Sequence, residues 1–474
     1  MSKGFIKWVG LASALLLFLV LATGCAAWFA PEEEPVEEPV EEPVAEQPEE
    51  PEPEPEPEPE EVVDFGGRTI QVAAWYDLTP AAGTPGGDRA LARLAELQEK
   101  FNFTVEWVNV PWDAYTETLT ASVLAGDPMA DKVIVAPDWF YNVAMRGFLQ
   151  PLEELYDLTD PLWNSSTVEF GTIDGRTYGI DAGERVFPQG VLFFNKTMFE
   201  REGLPNLYEL VENRQWNWDK MIEIAKQATK DLDGDGVIDQ WGIGAIDMYL
   251  FMMYSNMGSV LEVVDGRPTL KFGEPPAVEG LQAFVDMVHT HRVFDVPPEG
   301  SPWDWAAQRF QDGKTAMFAY YFWISDRFAQ NMADDFGITL FPMGPRATEY
   351  VSQSMGPNVE TIPMGVENPE HIALFWERWS APFPEDLEDP DYWVPDFAHR
   401  VRDEESLDTL RYIWEHGITR HSLIRSFHSP VQEAWWGINH ELTVGTLTPA
   451  VMVEERLTPL QTALDDAMAA LKAQ

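Results

Sequence analysis

The chain has 474 residues, 45% of them hydrophobic and 12% aromatic, which is enough to bury a substantial core and points to two domains. Against 31 lysines and arginines stand 80 aspartates and glutamates, a formal net charge of −49. That balance repels phosphate backbones and anionic headgroups, which argues against nucleic-acid binding and electrostatic docking on a membrane. Cys25 is the one cysteine, so intrachain disulfides, thiolate zinc sites and iron–sulfur clusters are excluded.

The first residues read as an address. Lys3 and Lys7 precede an apolar stretch from Val9 to Ala22, short for a spanning helix and ending in small residues. Leu21-Ala22-Thr23-Gly24-Cys25 resembles the lipobox of bacterial lipoproteins, although Ala22 stands where an apolar residue is usual and Leu21 lies one place earlier. The resemblance implies a signal peptide over 1–24, cleavage before Cys25, and lipid on that cysteine. The mature chain would then have 450 residues and a net charge of −51. Its acyl chains, at about 0.8 kcal/mol per buried methylene, would hold it to a membrane without a spanning helix.

A tether follows. Between Pro31 and Glu61 there are 16 glutamates and 10 prolines, with no basic and no aromatic residue. Proline prevents helix and like charges extend the chain, so residues 25–65 are expected to form a lipidated, solvated spacer.

Beyond it, strands and helices alternate. Thr69–Trp75 is a strand, followed by a Gly/Pro-rich loop and a helix capped by Asp88, with Leu91, Leu94 and Ala95 on one face. Phe103–Val110 is an alternating strand, Lys132–Ala136 a short buried one, and Val191–Phe194 a fourth whose Asn195 caps the next helix. Apolar residues at 221, 225 and 228 predict a helix over 219–230. Asn368-Pro369-Glu370 opens another, with Ile372, Phe375, Trp376 and Trp379 on one face. Residues 382–396 are read as an acidic, proline-rich loop. The alternation predicts an α/β fold of mostly parallel sheets flanked by helices.

Several of these stretches together resemble the extracellular solute-binding proteins of bacterial ABC importers, in the large carbohydrate-binding family that includes maltose-binding protein. Gly190–Lys196 with Phe199 and Gly203-Leu204 is similar to the family's aromatic-Asn-Lys strand and following helix. Trp216–Asp219 resembles its Thr-Trp-Asp-Glu helix start, and Phe310–Met317 with Trp323 its Gly-Lys-Ala-Ala-Met strand and the tryptophan beyond. Gly337–Pro342 and Ile362–Pro369 match a later strand and helix entry. The resemblance implies a two-lobed periplasmic-binding-protein fold with a hinge. The first lobe would take 66–185 and 352–410, and the second 186–351 and 411–474. It further implies a monomer that captures a carbohydrate, expected to be an oligosaccharide, and delivers it to the permease subunits of an ABC importer.

A sugar offers hydroxyls and apolar ring faces, which call for aromatic side chains beside Asp and Asn. At strand ends and loops the candidates are Trp75, Asp138, Trp139, Tyr320, Trp323 and Asn358, with Trp435 as a further one. Trp323 has the most direct support from the resemblance. Asp231, Asp233, Asp235 and Asp239, with Gly236 at loop position 6, form the front half of an EF-hand-like calcium loop. Position 12 is Gly242 rather than glutamate, and a plain acidic surface turn accounts for the same residues. No cofactor is required. With 80 acids, paired carboxylates cannot argue for glycosidase chemistry, and no His-Glu-x-x-His, Gly-x-Ser-x-Gly or phosphate-binding glycine loop is present. The expectation is a binding protein, not an enzyme. A peptide or polyamine as solute, a surface polysaccharide hydrolase and a sensory binding subunit are the alternatives.

Overall fold

A computed structural model describes residues 63–183, 189–264, 267–389, 391–416, 418–421 and 429–472. Cys25 and the Glu/Pro tether up to residue 62 lie outside the described residues, but Phe65, read as part of the spacer, is buried and stacks on Phe101 at 5.4 Å, so the folded body begins before residue 66.

Eight strands make the two principal sheets: β1 (Arg68–Ala74), β2 (Phe103–Asn109), β3 (Lys132–Val135), β4 (Gly190–Asn195), β5 (Trp241–Ala245), β6 (Thr315–Tyr321), β7 (Phe336–Thr339) and β8 (Val359–Thr361). The first sheet has the order β8-β3-β1-β2 and the second β7-β4-β6-β5. In the first, β1 runs parallel to β2 and β3, and β8 is an antiparallel edge. The second is mixed. Its β4 runs antiparallel to both β6 and β7, and only β5 and β6 are parallel. A mostly parallel pattern therefore holds for the first sheet alone.

The helices that matter for the site are α1 (Pro85–Phe101), α2 (Trp112–Ala125), α3 (Pro137–Met145), α4 (Trp218–Ala228), α5 (Ser325–Asn331), α6 (Pro369–Ser380), α7 (Glu404–His416) and α8 (Ser429–Val444). Thr84, not Asp88, caps α1: its hydroxyl accepts from the Gly87 N–H at 3.1 Å, while Asp88 sits in the first turn and accepts from Gly83. Asn195 does cap the helix after β4, accepting from Met198 N–H at 2.7 Å. In α4, Met221, Ala225 and Ala228 are all buried, as their spacing predicts. Asn368 makes no side-chain cap. It takes a left-handed φ of 48°, and Pro369 opens α6 behind it.

Ile70, Val72, Phe101 and Phe103 pack under Ile372, Phe375 and Trp376 on one face of the first sheet. A larger core surrounds the second sheet, including Phe193, Phe310, Phe318 and Phe328. Each such side chain contributes roughly 1.5–3 kcal/mol by leaving water.

Two connections between the sheets come together at Gly190. Gly190 at the start of β4 receives the Ser352 hydroxyl on its carbonyl at 2.9 Å, and a Cβ there would lie 2.4 Å from the Gln353 carbonyl oxygen. Only glycine permits that approach. A third connection is the acidic stretch after α6, which is an ordered strap. Phe383 lies under the guanidinium groups of Arg89 and Arg93 of α1, and Arg89 bonds Asp386 at 2.7 Å. Further on, Trp393 stacks on Trp414 of α7, and Phe397 packs edge-on against Phe322, just past β6. Arg402 then closes the end of α5 through the Met332 and Asp334 carbonyls at 2.7 Å each.

Candidate functional site

Parallel strands deliver their C-terminal ends to one edge of a sheet, where loops build sites. At that edge of the first sheet, Trp75 and Tyr76 follow β1, Trp112 opens α2 after β2, and Trp139 lies in the first turn of α3 after β3. The rings touch one another. Trp75 meets Trp112 at 5.3 Å and Trp139 at 5.2 Å between centroids, and Trp112 meets Trp139 at 4.1 Å. Tyr115 stacks beneath Trp139 and is anchored by its hydroxyl to the Ala73 carbonyl at 2.9 Å. Trp112 and Tyr76 remain 42% and 41% exposed, so this aromatic wall is available to a solute.

Polar groups stand beside it. Asn358, exposed just before β8, bonds the Tyr76 hydroxyl. Burial of that phenol, with the negative charges of Glu360 and Asp181 near it, pushes its pKa up to about 12. Glu360 of β8 reaches the Lys132 ammonium at 3.4 Å, and Lys132 lies 4.2 Å above the Trp376 ring. Asp138, half-buried at the start of α3, completes the group.

The second sheet offers a smaller wall. Trp323, 43% exposed, follows β6 and stands 6.1 Å from Trp303, which is 64% exposed. Tyr320 packs edge-on beneath Trp323 at 5.5 Å and is itself buried. Both walls lie where the crossing segments enter their sheets: Tyr321 pairs with Gly190, and Val359 pairs with Val135. From Gln353, beside Gly190, to Asn358 is a span of about 17 Å at full extension, the length of a few sugar rings. Two aromatic surfaces joined by such a bridge can grip a flat, hydroxylated solute from two sides.

The sequence candidates divide accordingly. Trp75, Asp138, Trp139 and Asn358 come together at the first wall, and Trp323 stands at the second. Tyr320 supports that wall instead of facing solvent. Trp435 is a correction: it is 2% exposed within α8, packed on Tyr249 and Phe272 in the core. Tyr76, Trp112 and Trp303 were not among the candidates. The strand-end rule that selects Trp75 applies equally to Tyr76 and to Trp112, two residues after Val110.

At the acidic loop, carboxylate oxygens of Asp231, Asp233 and Asp239 lie within 4.8 Å of one another and fit the donor set of a divalent cation. Asp231 accepts from the Gly234 and Gly236 N–H groups, which holds its pKa below the ordinary range, and both glycines take positive φ. Asp235 instead accepts from Val237 N–H. Gly242, at the twelfth position, lies in β5 and cannot supply a ligand.

Residues 81–366 match the bacterial extracellular solute-binding protein family, and the chain belongs to it. Binding proteins of Brucella abortus and Brucella suis are 23% identical over 266 residues, 54% of this chain and 61% of theirs, so the match spans about three fifths of those relatives. Among solved structures, a Listeria monocytogenes ABC substrate-binding protein in complex with cycloalternan has a TM-score of 0.59 at 16% identity, over 85% of this chain and 99% of that one. The maltose/maltodextrin-binding domain MalE of Bdellovibrio bacteriovorus, bound to maltotriose, has 0.57 at 18%, over 84% and 100%. UgpB of Mycobacterium tuberculosis, in complex with glycerophosphocholine, has 0.55 at 17%, over 85% and 98%. These likenesses show the two-lobed fold. No described helix is long and apolar enough to cross a membrane.

Proposed function

We propose that this chain captures a carbohydrate between its two lobes and presents it to the permease of an ABC importer. The observation that carries the reading is the pair of aromatic walls, Trp75/Trp112/Trp139 and Trp303/Trp323, flanked by hydroxyl-binding groups at Asn358, Tyr76 and Asp138. Neighbours of the same fold that hold maltotriose and cycloalternan support it. The importer's ATPase would drive transport, while this chain contributes recognition and hinge closure. It acts as a monomer and performs no catalysis. The lobes meet along the two crossing segments. The Ile338 N–H of β7 donates to the Ser406 hydroxyl of α7 at 2.9 Å, which favours a boundary near residue 403 over one at 410.

Two further readings accompany this one. Cys25 carries lipid that anchors the chain to the membrane; replacement of Cys25 by serine would release the protein from the membrane fraction. The loop 231–239 takes one calcium ion, structural and remote from the aromatic walls.

The test is a tryptophan-fluorescence titration of the full-length chain with maltotriose and larger glycans, with peptides and spermidine as controls. Saturation by a glycan that is recovered intact supports the reading. Response to a peptide alone would replace the carbohydrate with another solute, and breakdown of the glycan would replace transport with hydrolysis. A second reading, a non-sugar solute, keeps weight because the same fold holds glycerophosphocholine in one neighbour.

A further inference from the structure

Behind the aromatic wall, a polar column runs along one face of the first sheet. Side chains alternate along strands, Val72 pairs with Lys132, and Glu360 pairs with Ile134. Lys132, Glu360 and Asn358 therefore share a face, ordered from the core toward the site. Asp181 joins them through the neighbouring Ile180, which bridges to Glu360, and its own carboxylate accepts from the Ala182 N–H at 3.0 Å. Tyr76, bonded to Asn358, closes the column on the solute side.

The charges in this column do not balance. It holds two carboxyls and one ammonium, and Lys132 is the one cation acting on either carboxyl among the described residues. Lys132 is 1% exposed and Glu360 half-buried, so an unneutralised charge here is costly. Asp181 stays partly open to solvent. The Tyr156 hydroxyl, 6% exposed and within electrostatic reach of Glu360, has no hydrogen-bond partner. A group that brings one positive charge completes the arrangement, and the face of Tyr76 beside it favours a cation too.

We propose that this wall holds a subsite for a protonated amine, formed by Asp181 and Glu360 behind Tyr76 and Asn358, and that the solute is an amine-bearing carbohydrate. The inference rests on the carbohydrate reading above and narrows it. An ammonium on a sugar ring would enter past Tyr76, donate to Asp181, and neutralise the second carboxylate, while the ring lies against Trp75 and Trp112.

The experiment compares four probes on the full-length chain by fluorescence titration: tri-glucosamine, its N-acetylated counterpart, maltotriose and spermidine. Tri-glucosamine is expected to bind about tenfold more tightly than either neutral trisaccharide. In Asp181→Asn that ratio falls to within about twofold of one, and in Asp181→Glu it is retained; Glu360→Gln serves if the first variant fails to fold. Equal affinity of tri-glucosamine and maltotriose would overturn the subsite and leave the carbohydrate reading intact, and so would a preference that survives in Asp181→Asn. Binding of spermidine without any glycan would keep the subsite and overturn the carbohydrate reading. Silence from all four overturns both.

Discussion

Trp112 and Trp435 are the same amino acid in opposite situations, and they separate binding from stability. Trp435 is sealed between Tyr249 and Phe272, so Trp435→Ala should cost about 3–5 kcal/mol in urea unfolding. Trp112 keeps two fifths of its surface open, so Trp112→Ala should cost about 1 kcal/mol or less but weaken glycan binding roughly tenfold. Unchanged affinity in that variant would remove Trp112 from the solute wall. Asp181 carries a signature in pH. Burial first, then the repulsion of Glu360, pushes its pKa well above the ordinary carboxylate range; burial also raises Glu360 despite Lys132. A carboxyl raised in the folded state holds its proton longer than in the unfolded chain. Its contribution is therefore fully present below the ordinary range and is lost as pH rises through the folded value. Asp181→Asn escapes that loss, so it should melt higher than wild type at pH 7.5, with the gap shrinking toward pH 4. A gap that is constant with pH, or of opposite sign, would mean that Asp181 is ionised and well paired.

At the scale of elements, helices were the most legible. Spacing at 221, 225 and 228 marked the buried face of α4, and Asn195 announced the cap of the helix after β4. The start of α1 was read one turn late, at Asp88, although Pro85 marks it by opening the helix immediately after Thr84. Strand direction was not legible for β4, because no residue in the strand decides it. The strand-end rule selected Trp75, Trp139 and Trp323 and, applied evenly, reaches Tyr76 and Trp112 as well; Trp303, which follows no strand, depends on which elements are neighbours. Trp435 was legible as core: Val431, Trp435, Ile438 and Leu442 recur at helical spacing and are all buried, which puts Trp435 on the packed face of α8 and Trp436 beside it. The loop 231–239 was legible as a motif, and its fold gives a prediction. Calcium at a hundredfold excess over Kd should stabilise the chain by about 2.7 kcal/mol in thermal unfolding, and Asp231→Asn with Asp239→Asn should abolish the effect. A chain indifferent to calcium and to chelator would reduce the motif to an acidic turn.

For the molecule as a whole, the strap after α6 is a tie that composition alone disguised. Its acids and prolines suggested no more than a loop, yet Arg89 and Arg93 hold Phe383 from one lobe while Trp393 and Phe397 dock on the other. Phe383→Ala removes both cation–π contacts, each worth about 0.5–2 kcal/mol, and should expose residues 381–393 to limited proteolysis before the rest of the chain. Cleavage no faster than in wild type would show that the ion pair of Arg89 with Asp386 suffices to hold it.

Two plates joined by a pair of adjacent strips can swing, but they can also skew sideways. Adding a third tie that grips each plate at a different place leaves one direction of travel. With the strap seated on α1 and α7, the two sheets are tied at a third place, and the sideways slip that two neighbouring strips would allow is resisted.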